Sequence, residues 1–72
     1  MNHITYTDTY YTGAIDANNH LVQTTEIRKS KVYGTFSKYY PSGVKTMIKV
    51  WNTRLNKMVV IRKDTELVSV ID

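Results

Sequence analysis

Between Val44 and Lys63 the chain alternates with period two, and that alternation restricts it to an antiparallel hairpin. Val44, Thr46, Ile48 and Val50 fall on one side, and Lys45, Met47, Lys49 and Trp51 on the other. Asn52 to Asn56 is a polar stretch of hairpin-loop length. Lys57 to Lys63 then returns with Val59 and Ile61 on one side and Met58, Val60 and Arg62 on the other. Successive strand residues point to opposite faces, so this pattern gives one buried and one wet face.

The rest of the chain reads the same way. His3 to Thr12 alternates threonines with Ile4, Tyr6 and Tyr10, residue types that fit a pleated, half-buried surface. Gly13 and Asp16-Ala17-Asn18-Asn19 read as a turn, His20 to Ile27 as a second strand, and Lys31 to Tyr40 as a third. A short helix capped by Asp16 is the alternative over the second segment, against which Thr24-Thr25 and the asparagines weigh. Gly34 marks a bulge or bend in the third strand, and Pro41-Ser42-Gly43 a turn before the hairpin. Asp64-Thr65-Glu66 breaks the return strand, and Leu67 to Ile71 supplies a last short one. The expected fold is all-β, a small antiparallel β-barrel or rolled sheet of five to six strands forming one domain over 1–72. Its expected core is Ile4, Leu21, Ile27, Val32, Phe36, Val44, Ile48, Val50, Val59, Ile61, Leu67, Val70 and Ile71.

The C-terminal order resembles small barrels of the Src-homology-3-like type. The residues carrying the likeness are Met58 to Arg62, the turn at Lys63 to Glu66, and Leu67 to Ile71. It implies a hairpin, a single 3₁₀ turn and a short closing strand over the second half of the chain. The first 30 residues exceed what such a barrel needs, and are expected to add a hairpin, a long loop or a dimerisation arm.

Charge is segregated. All ten Lys and Arg lie between Arg28 and Lys63 with no acid among them, and the six acids flank that window. Mixed charge is the usual way to keep a surface soluble, so a one-signed window points to an anionic partner. Tyr33, Phe36, Tyr39, Tyr40 and Trp51 interleave with the cations. The expected nucleic-acid-binding residues are Arg28, Lys29, Lys31, Lys38, Tyr39, Tyr40, Lys45, Lys49, Trp51, Arg54, Lys57 and Arg62. Lysines would track phosphates and rings would stack bases, with low sequence specificity because no base-reading helix is visible. If Arg62 pairs across to the Lys45–Trp51 side, three cations surround the indole. The competing reading is a solvated face whose lysines deter edge-to-edge pairing, with Trp51 in the core. Tyr6 and Tyr33 are expected to serve cross-strand packing, and one ring of each doublet, Tyr10-Tyr11 and Tyr39-Tyr40, to face outward.

Catalytic signals are sparse. His3 and His20 stand alone, there is no cysteine, and the serines have no base beside them. Asp64 and Glu66 fall at a turn, where acids are ordinary. The expectation is therefore a non-enzymatic protein with no metal site and no cofactor.

Chains of this length bury only about 60% of their unfolded surface, and no disulfide is available here, so a homodimer is a candidate state, with the N-terminal strand as its edge. Met1 to Asp8 has neither a basic nor an apolar leader region, and no apolar run approaches the ~20 residues of a membrane span, so a soluble cytoplasmic protein without a membrane partner is expected. The alternative function is a small phage-like host-takeover protein or defence inhibitor. Its basic face would dock on an acidic host-protein surface with tyrosines as anchors.

Overall fold

A computed structural model describes residues 2–72; Met1, the first residue of the expected 1–72 domain, lies outside it. Five antiparallel strands form one sheet: β1 (His3–Ile15), β2 (Leu21–Tyr40), β3 (Gly43–Asn52), β4 (Lys57–Arg62) and β5 (Leu67–Val70), in the order β4-β3-β2-β1-β5. The described residues contain no helix, so none is long and apolar enough to cross a membrane. The helix alternative after Asp16 is thereby excluded. The sheet does not close into a barrel; β4 and β5 are its edges. Lys63 to Glu66 is a turn without 3₁₀ helix, closed by the Glu66 amide donating to the Arg62 carbonyl at 2.9 Å.

Two segments expected as separate strands are one. β2 runs unbroken for 20 residues and changes partner midway. It pairs with β1 as far as His3↔Lys31, and with β3 from Val32↔Val50 onward. At the handover Ser30 replaces a missing ladder bond. Its hydroxyl accepts the Trp51 amide at 2.8 Å and donates to the Lys31 carbonyl at 2.7 Å. Immediately beyond, a bulge between Val32 and Gly34 inserts an unpaired Tyr33. An extra residue exchanges the two faces of everything that follows.

The core lies on the inner face, where the β1–β2 half meets the β3–β4 half. Ile4 and Tyr6 pack with Ile48, Val50 and Ile61, flanked by Val32, Val59 and Leu67. Tyr6 is buried, and its hydroxyl donates to the Trp51 carbonyl at 2.8 Å, tying β1 to β3. Burial, and then Asp8, push that hydroxyl above its ordinary pKa.

Six residues expected in the core are exposed instead. Leu21 sits near the tip of the β1–β2 arm, paired only with the equally exposed Ile15. Ile27 pairs with Thr7 and shares its outward parity. Phe36 would join Val32 inside by simple alternation, but the bulge turns it outward. Val44 lies at the tip of the β2–β3 arm, and Val70 and Ile71 at the end of the edge strand. Met47 is buried although it belongs to the outer set. The radius of gyration, 14.2 Å, exceeds the ~11 Å of a compact chain of this size because both arms reach past the core.

Turn chemistry follows the residues. Asp16 Oδ1 accepts the amides of Asn18 and His20, both at 2.9 Å, and Asn19 takes positive φ. Pro41 and Ser42 make the two-residue connection, after which Gly43 adopts φ of 131°.

Candidate nucleic-acid interface

Strand register decides which candidate residues act together. Before the bulge the odd residues of β2 face outward; after it the even ones do. Lys29, Lys31, Lys38 and Tyr40 therefore share one face of β2. The pairs Lys38↔Lys45, Phe36↔Met47 and Gly34↔Lys49 put Lys45 and Lys49 on the same face, and Trp51 follows by alternation. Met47↔Arg62 adds Arg62 from β4. Eight of the twelve expected residues thus share the outer face. Arg62 does pair across to this side, but Trp51 lies opposite Met58, four ladder positions away. Its guanidinium instead stands over Tyr40, 5.9 Å from the ring centroid.

The other four lie elsewhere. Tyr39, 80% exposed, pairs with Val44 on the opposite parity to Tyr40. Lys57 pairs with Asn52, on the side away from Trp51. Arg28 and Arg54 are engaged in an ion-pair cluster that binds the two halves of the sheet. Asp8 Oδ2 accepts Arg28 Nε at 2.7 Å and Arg54 Nε at 2.9 Å, and its Oδ1 accepts Arg54 Nη2 at 3.1 Å. Asp8 sits opposite Glu26, and Arg28 bridges the two carboxylates through Nη2 to Glu26 at 3.2 Å. Arg54 reaches from the β3–β4 loop to lie on the Tyr10 ring, 3.9 Å from its centroid, and the Tyr10 hydroxyl donates to Glu26. The Arg54 guanidinium, with Arg28, holds the Asp8 carboxyl well below the usual carboxylate range against the opposing effect of burial. Tyr10 is pushed up by its bond to Glu26.

Segregation along the sequence is therefore not full segregation in space. On the outer face Asp64 pairs with Arg62 at 3.1 Å and with Lys45 at 3.4 Å, and they, Arg62 foremost, lower its pKa. Lys29, Lys31, Lys38 and Lys49 have no carboxylate partner among the described residues.

Three rings on this face each have a lysine ammonium nearby. Lys31 Nζ stands 5.9 Å from the Tyr33 centroid, Lys49 Nζ 5.8 Å from Phe36, and Lys38 Nζ 5.3 Å from Tyr40. Tyr33 and Phe36 are exposed. Expecting Tyr33 and Phe36 as packing residues missed their place here; Gly34, as a bulge signal, carried the clue. Trp51, Met58 and Val60 extend the face as a partly exposed apolar strip along β3 and β4.

Other chemistry is thin. A cavity of about 400 Å³ on the turn side is lined by Val44, Lys45, Thr46, Lys63, Asp64 and Leu67. The described residues bring no three His, Asp or Glu together as a metal-binding group. No protein-family model, curated protein or solved structure matches the chain.

Proposed function

We propose that this chain is a non-enzymatic binding protein whose outer sheet face holds nucleic acid with low sequence specificity. The observation that carries the reading is that Lys29, Lys31, Lys38 and Lys49, without a carboxylate partner among the described residues, share outward register with Tyr33, Phe36, Tyr40 and Trp51. Ammonium groups displace counterions from phosphates, and rings offer stacking surfaces. Arg28 and Arg54 leave the binding set because their charge is already used by Asp8. Four phosphates neutralised on a single strand give a log–log salt slope of about −2.8. A salt titration tests this: Lys38→Ala and Lys49→Ala each flatten the slope by about 0.7, and Lys45→Ala by less, since Asp64 already partners Lys45. Absence of binding at low salt refutes the proposal.

The apolar strip Trp51, Met58 and Val60 favours a second reading, docking on an acidic host-protein surface as a phage-type inhibitor would. A pull-down at two salt concentrations, with and without nuclease, separates the two. A single protein retained after nuclease supports docking, and loss of all partners supports nucleic acid. The expected likeness to Src-homology-3-type barrels is limited to the order of strand, turn and short strand along the chain. The cytoplasm is the compartment this reading implies. A homodimer through the unpaired edge of β1 beyond its three-residue contact with β5 belongs to the same proposal. Light scattering that gives a monomer mass at high concentration removes it.

A further inference from the structure

We infer that the outer face takes an unpaired strand, laid along β2 so that bases stack on Tyr33, Phe36 and Tyr40 while Lys31, Lys49 and Lys38 hold the intervening phosphates. The inference rests on the nucleic-acid reading above and narrows it to single strands.

Rings and ammonium groups occur here as pairs. Each of the three rings has one lysine Nζ between 5.3 and 5.9 Å from its centroid, and none of these lysines has a carboxylate partner among the described residues. A contact of that length at an exposed site is weak, so the ammonium exchanges it for a phosphate oxygen at little cost. The rings follow one another along a single extended strand, three and then four residues apart, which spaces them by roughly 10 and 13 Å. From Tyr33 to Tyr40 the row covers about 23 Å. That length suits a segment of several nucleotides, within the roughly 4 to 16 that a small binding fold covers.

A duplex meets only half of this arrangement. Its phosphates reach the lysines, but its base faces are covered by neighbouring bases and the rings gain nothing. An unpaired strand satisfies both members of each pair. Truncating Tyr33 or Phe36 should spare the fold, since both are exposed and the core lies on the opposite face; Tyr40 is half-buried at the end of β2, so its variant is first checked for a folded spectrum.

The test is fluorescence anisotropy at low salt with labelled oligothymidylate and oligouridylate of increasing length, beside a blunt hairpin duplex. Affinity should rise with length and level off within about 4 to 16 nucleotides, with unpaired strands about tenfold or more tighter than the duplex. Phe36→Ala and Tyr40→Ala should each weaken binding by about 5- to 100-fold with the salt slope unchanged. Phe36→Leu keeps the bulk without the ring and should lose as much, which separates stacking from misfolding. Equal affinity for duplex and strand, with ring variants neutral, overturns this inference and leaves the nucleic-acid reading standing. No binding to any probe overturns both.

Discussion

Replacing Asp8 with alanine tests how the two halves of the sheet are held. Asp8 is 9% exposed and accepts three hydrogen bonds from two guanidiniums. The Arg28 side chain is only 13% exposed, so it cannot turn fully to water when its partner is lost. Removing one partner of a buried ion pair costs about 3–5 kcal/mol, and the greater exposure of Arg54, 28%, places this case near the lower end, about 3 kcal/mol. A domain of this size has roughly 4–10 kcal/mol of stability in all, so the loss is a large share. With a urea m-value of about 1 kcal/mol/M, the unfolding midpoint should drop by about 3 M, or the variant should be unfolded without denaturant. The acid limb gives an independent check. The Asp8 carboxyl is depressed in the folded state, whereas an unfolded aspartate titrates near 3.9. Its contribution is therefore present above about pH 4 and is lost as pH falls from there toward the depressed folded value. Asp8→Ala should flatten that acid limb. A midpoint shift equivalent to less than about 0.5 kcal/mol would show instead that the cluster behaves as an ordinary surface pair and does not hold the two halves together.

Two further changes probe the backbone of β2 and the turn after it. Ser30→Ala removes the acceptor of the Trp51 amide and should cost about 1–3 kcal/mol, with faster hydrogen exchange at Trp51 as its local signature; unchanged exchange would show that the hydroxyl is not the partner. Gly43→Ala meets open space but a φ of 131°, so strain alone should lower stability by at least about 1 kcal/mol in a denaturant titration, and a neutral result would place the φ elsewhere.

The hairpin was legible because its alternation is uninterrupted: Ile48, Val50, Val59 and Ile61 turn inward as their spacing requires, and Lys45, Lys49 and Arg62 share the other side. Ile4 and Leu67 join the core on the same argument. The fused β2 was not legible, because Arg28-Lys29-Ser30 looks like a polar break, while in the fold Ser30 is buried as a backbone partner. Phe36 was misplaced because Gly34 announces a bulge without telling which way the next residue turns. The pairing of Arg28 and Arg54 with Asp8 joins residues 20 and 46 positions apart, and no local pattern encodes such a contact. The same long-range pairing takes Arg28 and Arg54 out of the proposed binding set.

The proposed binding face is the outer face of the sheet. The most direct measurement is a ¹H–¹⁵N titration of the labelled protein with a short oligothymidylate at low salt. Shift changes should concentrate at Lys29, Lys31, Tyr33, Phe36, Lys38, Tyr40 and Lys49, with the amides of Asp8, Arg28 and Arg54 nearly still. Changes centred on the Asp8 cluster or on the Val44–Leu67 cavity, or no change at all, would contradict it.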